Sequence, residues 1–114
     1  MHELGIAKDM FAIALQKAKE NNLKKITKIN IKIGEASGID EDFLKHSFVD
    51  HLLPGTIAGK CRLSISKEKV RARCTGCSSF FSPEQMALSC PSCQSKEIEI
   101  VAGKEVYITS IEGE

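Results

Sequence analysis

The chain has 114 residues and a mass of 12.5 kDa, with 42% hydrophobic and 27% charged residues and five cysteines. These values argue against a disordered chain or a disulfide-dense scaffold, and a net charge of +1 argues against a nucleic-acid-binding function, which normally requires a clearly basic surface. No segment approaches the roughly 20 apolar residues of a membrane helix, and no signal peptide opens the chain, so we predict a cytoplasmic protein without membrane contact.

The first predicted element is an amphipathic helix. Its apolar residues recur at steps of three and four, which is the spacing of one buried helix face. They are Ala7, Met10, Phe11, Ala14, Leu15 and Ala18. We expect the helix to end near Asn21 and Asn22.

A strand and a second helix follow. Isoleucine alternates with polar residues over 29–33, which is typical of a strand with one solvated face, and Gly34 ends it. Asp40 can cap the second helix by accepting hydrogen bonds from its first free N–H groups. The residues that we predict on the buried face of this helix are Phe43, Leu44, Phe48 and Leu52. The LPG segment at 53–55 ends it.

Two further strands complete a predicted α+β body. Leu63 and Ile65 alternate with polar residues in one strand, and Val106 and Ile108 do so in the last. The element order predicts a small three-stranded sheet with two helices on one face. We therefore expect an α+β domain at 1–69 and 102–114, with a separate module inserted at 70–101. Alternation over 98–100 predicts a strand of that module or of its link back to the body.

Four cysteines in two CxxC pairs define the inserted module. Cys74 and Cys77 form one pair and Cys90 and Cys93 the other, with twelve residues between the pairs. Two such loops can direct four thiolates at one Zn(II) ion in a tetrahedron, with Zn–S distances of about 2.3 Å. Four cysteine ligands leave no position for water, so we predict a structural, zinc-ribbon-like site that supplies folding free energy.

Other interpretations of these residues stay open. An iron or iron–sulfur site uses the same ligands, and a thioredoxin-type redox pair uses one CxxC motif. The fifth cysteine, Cys61, lies in a strand pattern and is expected to be a half-buried small hydrophobic residue. Lys67, Lys69, Arg71 and Arg73 alternate toward one strand face, which is typical either of solvated charges or of a zinc-ribbon adaptor that binds nucleic acid or protein.

The N-terminus carries a second candidate metal site. The amine of Met1, the amide nitrogen of His2 and the His2 imidazole can close adjacent chelate rings around one ion. If the amides of His2 and Glu3 release their protons, this planar nitrogen set suits Ni(II) or Cu(II) rather than tetrahedral Zn(II). The Glu3 carboxylate can also accept a hydrogen bond from the imidazole nitrogen that does not bind the metal. A histidine at position 2 is weak evidence by itself, since it also occurs by chance on mobile termini.

The other histidines and the rest of the chain give no catalytic signature. His46 and His51 are five residues apart on the second helix, so they fall on faces about 140 degrees apart and are expected to be ordinary surface histidines. No serine, cysteine or carboxylate stands in a recognisable catalytic arrangement.

Four segments taken together resemble a known family. The segments are MHELGIAKDM at the start, IKIGEASGID after the first strand, RARCTGC followed twelve residues later by CPSC, and a terminal SIEGE. In this order and at this spacing they resemble the HypA/HybF family of hydrogenase nickel-incorporation proteins. The resemblance covers the whole chain.

The resemblance implies a metallochaperone and not an enzyme. It implies that the Met-His-Glu terminus binds Ni(II) cargo weakly and reversibly, with His2 as the essential ligand and with backbone nitrogens or a supporting side chain from Met1 and Glu3. The residues that match structural Zn(II) ligands are Cys74, Cys77, Cys90 and Cys93. Some relatives add a histidine to this module, and this chain has none there, so no nickel role is expected for it.

The resemblance also implies partners. They are a nickel-handling GTPase, the precursor of the large subunit of a [NiFe]-hydrogenase and, in some organisms, urease maturation proteins. The chain itself is expected to be a monomer or a weak homodimer.

Overall fold

The computed structural model describes the backbone of residues 3–82 and 89–114 and the side chains of 4–82 and 89–114. Its elements in chain order are α1 (Glu3–Glu20), β1 (Ile26–Gly34), α2 (Glu41–His46), a π-helical turn (Ser47–Leu52), β2 (Arg62–Glu68), β3 (Arg71–Cys74), β4 (Phe80–Phe81), β5 (Ile98–Ala102) and β6 (Val106–Gly113). The chain divides into two compact units. The first contains the residues up to Lys32, Ile39–Ser66 and Val106–Glu114, and the second contains Ile33–Gly38 and Lys67–Glu105.

A three-stranded sheet with the strand order β2-β1-β6 confirms the predicted α+β class. The isoleucines that alternate along β1 at 29, 31 and 33 are buried, as predicted. The polar residues between them are half-buried rather than fully solvated, because β1 is the central strand and its neighbours cover both edges. Asn30 accordingly finds a cross-strand partner, donating from Nδ2 to Ser110 Oγ at 2.9 Å.

Helix α1 begins at Glu3, four residues before the start of the predicted apolar stripe. That stripe is buried except for Leu15, which is half-buried. The predicted end is confirmed: Asn22 adopts a left-handed conformation with φ of 58°, and the Leu23 N–H donates to the Ala18 carbonyl at 2.8 Å. This pairing closes the helix as a Schellman motif, which satisfies carbonyls that would otherwise lack a partner.

Helix α2 begins as predicted, because Asp40 Oδ1 accepts a hydrogen bond from the Phe43 N–H at 3.1 Å. The predicted burial of Phe43 is wrong, however, since its side chain is 63% exposed. Leu44 and Phe48, four residues apart, set the buried stripe, and Phe43 lies about 100 degrees away from Leu44 around the helix.

The π-helical turn shifts the end of the buried face by one residue. The Leu53 N–H donates to the Phe48 carbonyl at 2.9 Å, which closes a loop one residue longer than an α-helical turn. Leu53 is therefore buried and Leu52, predicted on that face, is only half-buried. Phe48 itself is fully buried and meets Phe11 of α1 edge to face, with ring centroids 6.2 Å apart.

A second three-stranded sheet, with the order β4-β3-β5, forms the frame of the second unit. Both neighbours run antiparallel to β3, and Cys74 at its end pairs with Ile98 of β5. The alternation over 98–100 thus belongs to a strand of this unit. The sequence pattern did not predict β4, because two residues are too few to show a period.

A close backbone approach ties the strand ends of the second unit together. Gly103 has φ of +86°, and a Cβ there would lie 2.6 Å from the Val70 Cα. Its N–H donates to Glu68 Oε1 at 3.1 Å, and its carbonyl accepts from the Ala36 N–H at 2.7 Å. Only glycine combines this conformation with this proximity.

We expect Phe48→Ala to lower the free energy of unfolding by about 3–5 kcal/mol, because it removes a fully buried ring and leaves a cavity. The matched control is Phe43→Ala, which removes an exposed ring from the same region and should cost less than about 0.5 kcal/mol. Urea unfolding followed by far-UV circular dichroism measures both. Equal losses in the two variants would contradict the assigned helix face.

We expect Gly103→Ala to cost about 2–5 kcal/mol, since it combines left-handed strain with overlap against the Val70 backbone. Gly38→Ala is the matched control: its φ is +74° but nothing lies within 4 Å of its Cβ position, so only the strain of about 1–2 kcal/mol applies. Both are measured by the same unfolding experiment. If the two variants lost the same stability, the close approach would have no energetic role.

Candidate metal centre

Four cysteine sulfurs converge in the second unit. The Sγ atoms of Cys74, Cys77, Cys90 and Cys93 all lie within 4.8 Å of one another, and this is the one group of three or more potential ligands that the described residues bring together so closely. The contacts link the two pairs: Cys74 Sγ lies 3.5 Å from Cys93 Sγ, and Cys77 Sγ lies 3.6 Å from Cys90 Sγ. Cys74 and Cys90 are buried, whereas Cys77 and Cys93 are exposed.

Each CxxC pair sits on the same kind of backbone turn. The residue after each second cysteine is left-handed, Ser78 and Gln94 both having φ of 61°. The Ser78 N–H donates to the Cys74 carbonyl at 2.9 Å, and the Gln94 N–H donates to the Cys90 carbonyl at 2.7 Å. Two copies of one turn therefore face each other, each presenting two sulfurs.

The sulfurs are further surrounded by hydrogen-bond donors. The Cys77 N–H donates to Cys74 Sγ at 3.4 Å, and the Ser92 N–H donates to Cys90 Sγ at 3.4 Å. The Ser79 hydroxyl lies 3.2 Å from Cys77 Sγ. Sequence reasoning missed Ser79, although the repeat of CTGCSS in CPSCQS, with serine in the same last position, was a signal for it.

The geometry fits one tetrahedral metal ion. With metal–sulfur distances of about 2.3 Å, the sulfurs of such a site lie about 3.8 Å apart, close to the separations found here. A disulfide needs sulfurs about 2.05 Å apart, so these cysteines are not paired covalently. Four thiolates without a fifth ligand are the donor set of structural zinc sites, and the cluster is consistent with a zinc-ribbon module.

The thiols of the cluster differ in how readily they ionise. Hydrogen bonds from the Ser79 hydroxyl and the Ser79 N–H lower the pKa of Cys77 to about 6. The Ser95 N–H acts to lower the pKa of Cys93, but the Cys74 thiol, burial and the other two thiols outweigh it and raise that pKa to about 12. Adjacent thiolates repel each other, and a divalent cation among them removes this conflict.

The cluster is anchored to the sheet on one side. Cys74 is the last residue of β3, and the next residue, Thr75, donates from both its N–H and its hydroxyl to the Glu97 carbonyl, at 2.9 and 2.7 Å. The first turn is thereby fixed to the chain that enters β5. The Cys61 thiol lies outside the cluster and is half-buried, as expected, and burial raises its pKa.

The candidate ligands at the N-terminus are not placed by the structure. Met1 and His2 lie outside the described residues, and Glu3 is described only as the first residue of α1. The structure therefore brings the four predicted cysteine ligands together, whereas the predicted N-terminal ligand set stays a prediction.

The structure corrects two predictions about charged residues. The four basic residues from 67 to 73 do not share one strand face, because β2 ends at Glu68 and β3 begins at Arg71. Arg73 is moreover paired with Glu99 through a hydrogen bond of 3.1 Å. His46 and His51 are not on separate faces: their rings meet with centroids 5.3 Å apart, because the π-helical turn changes the helical period.

Within the described residues, no helix is both long enough and apolar enough to cross a membrane.

Comparisons with known proteins agree on one family. A family model described as "Hydrogenase/urease nickel incorporation, metallochaperone, hypA" matches residues 1–113. The chain is 39% identical to the hydrogenase maturation factor HypA of Dehalococcoides mccartyi, with 98% of this chain and 93% of that protein covered. Against HypA of Aquifex aeolicus it is 32% identical, with 98% and 96% covered.

Solved structures give the same result. The solution structure of the Ni metallochaperone HypA from Helicobacter pylori is similar to this one with a TM-score of 0.79 and 30% sequence identity, and the match covers 99% of this chain and 97% of that one. Because the family model matches nearly the whole chain, the protein belongs to the HypA family of hydrogenase and urease nickel-incorporation metallochaperones.

Proposed function

We propose that the protein binds Ni(II) at its N-terminus and delivers it, with a partner GTPase, to the precursor of the [NiFe]-hydrogenase large subunit. The observation that carries this proposal is the family match, which begins at residue 1 and includes the terminal histidine. The ligands proposed are the His2 imidazole, the Met1 amine and the amide nitrogens of His2 and Glu3, with the Glu3 side chain in support.

The start of α1 supports a terminal site. The first N–H groups of a helix have no carbonyl partner within the helix. Because α1 begins at Glu3, an amide nitrogen at this end can lose its proton to water and bind a metal without breaking the helical hydrogen-bond ladder.

We further propose that Cys74, Cys77, Cys90 and Cys93 hold one structural Zn(II) ion. The support is the convergence of four sulfurs at tetrahedral spacing, with no room in the donor set for water. Residues 70–101 are then the zinc module, and 1–69 with 102–114 form the nickel-binding domain. The cytoplasm, where thiols stay reduced, is the compartment that suits this cluster.

The partner proposals follow from the family. Its description names both hydrogenase and urease nickel incorporation, so we propose urease maturation proteins as further partners beside the GTPase and the hydrogenase precursor. The alternative function, a zinc-ribbon adaptor that binds nucleic acid or protein, loses its main support because the basic residues do not form one continuous strand face. We propose a monomer or a weak homodimer as the oligomeric state.

We expect His2→Ala to abolish the planar Ni(II) signal while leaving the fold and the zinc content unchanged. The measurement is calorimetric titration with Ni(II), together with visible d–d bands, on tagless protein that retains Met1. Lys8→Gln, an exposed change on α1, is the matched control and should bind as the parent does. Undiminished planar nickel binding in the His2 variant would exclude the terminal site.

We expect Cys74→Ser or Cys93→Ser to lose the bound zinc and the amide protection of β3 and β5, because the ion supplies folding free energy to the module. Protection of α1 and β1 should largely remain, since their apolar residues are buried in the first unit. Metal analysis and amide hydrogen exchange test this. Cys61→Ser, which removes a thiol outside the cluster, should retain one zinc. A protected module without zinc would refute a structural role.

A further inference from the structure

The π-helical turn gathers three ligand-type side chains on the surface of the first unit. Hydrogen bonds in such a turn span five residues, so side chains five apart come closer together around the helix than the about 140 degrees that separate them in an α-helix. His46 and His51 therefore meet with ring centroids 5.3 Å apart and ring planes at 83°. Asp50 lies beside them, one turn beyond His46.

Asp50 holds one of the rings in a defined orientation. The His46 Nδ1–H donates to Asp50 Oδ2 at 2.5 Å. In the neutral imidazole, this bond leaves the lone pair on Nε2. A carboxylate behind a histidine is the arrangement that orients and strengthens imidazole ligands in metal sites. The side chains of His46 and Asp50 are 57% and 52% exposed, so an ion can reach them directly.

The separation of the rings fits one shared ion. Two imidazoles that bind one Ni(II) ion at about 2.1 Å and in neighbouring positions about 90 degrees apart have centroids about 4.6 Å apart, so the rings as found lie within about 1 Å of that arrangement. The last torsion of a histidine is broad, and rotation about it moves the ring nitrogens while the centroid stays nearly in place. His51 can thus turn a nitrogen toward His46 Nε2 without any change in the backbone.

We propose that His46 and His51 bind one Ni(II) ion, through one imidazole nitrogen each, with Asp50 as a positioning residue and water as the remaining ligands. Imidazole is a ligand type that suits Ni(II). Two imidazoles without backbone nitrogens form a weaker and more open site than the proposed terminal one. The site uses no residue of the N-terminus or of the cysteine cluster.

The test uses the zinc-loaded His2→Ala protein, so that neither the terminal site nor the cysteines take the added Ni(II). Imidazole resonances are followed by NMR during titration with Ni(II) alone. Both rings should broaden together at the same Ni(II) concentration. His51→Gln should weaken the broadening of the His46 ring by about tenfold or more, and His46→Gln should do the same for the His51 ring.

Asp50 is tested by a pair of matched variants. Asp50→Asn should weaken Ni(II) binding by about tenfold and shift the tautomer-sensitive 15N resonances of His46, a change that loss of charge alone does not produce. Asp42→Asn, which removes a carboxylate from the exposed side of α2, should leave both unchanged. The proposal would be overturned if Ni(II) broadened neither ring, or if it broadened one ring equally well after the other histidine had been replaced. Because His2 is absent throughout, this result is independent of the terminal site.

Discussion

The closure of two CxxC turns on each other is the constraint on which the second unit depends. Among its described residues, the buried hydrophobic side chains are Ile33, Ala72, Cys74 and Cys90. Half of that set consists of sulfur ligands, so the apolar burial that remains is too small to offset the conformational entropy of ordering the unit. The metal ion that we propose among the four sulfurs would supply what is missing, because the sulfur contacts join each cysteine of the first turn to one of the second.

The first unit is stabilised differently, and this difference explains what the sequence could predict. Long elements with a clear period were identified because burial enforces that period: the isoleucines of β1 and the stripe of α1 lie where alternation and three-four spacing place them. The four-cysteine cluster was also predictable, because the spacing of two CxxC pairs is typical of four sulfurs that converge on one metal ion. The Asp40 cap of α2 was predictable for a similar reason, because a single local hydrogen bond determines it.

The predictions failed where a tertiary feature altered the local period. No residue type in the π-helical turn predicts it from the sequence. The turn nevertheless buries Leu53 in place of Leu52 and brings the rings of His46 and His51 together. The alternating basic residues around Lys69 also predicted one continuous strand. In the structure β2 ends at Glu68 and β3 begins at Arg71, and these two strands belong to different sheets. Hydrophobic periodicity is an average over a segment of sequence. It therefore does not detect one extra residue in a helical turn or a two-residue break between strands.

The proposed terminal site and the proposed cysteine site would separate Ni(II) from Zn(II) by geometry rather than by affinity. Nitrogen, oxygen and sulfur sites alike follow a general order of metal affinity, so a protein that handles Ni(II) beside Zn(II) must select through ligand type and shape. Four thiolates on two matched turns enforce a closed tetrahedron, which suits zinc and leaves no open position for exchange. Backbone nitrogens at a chain end favour a planar ion and can dissociate one at a time. The positive end of the α1 dipole opposes a nearby cation unless amide protons are released, so nickel binding at the proposed terminal site would be coupled to proton loss. Under this proposal, a partner that returned those protons, or replaced the nitrogens by its own ligands, would release the nickel without disturbing the cysteine cluster.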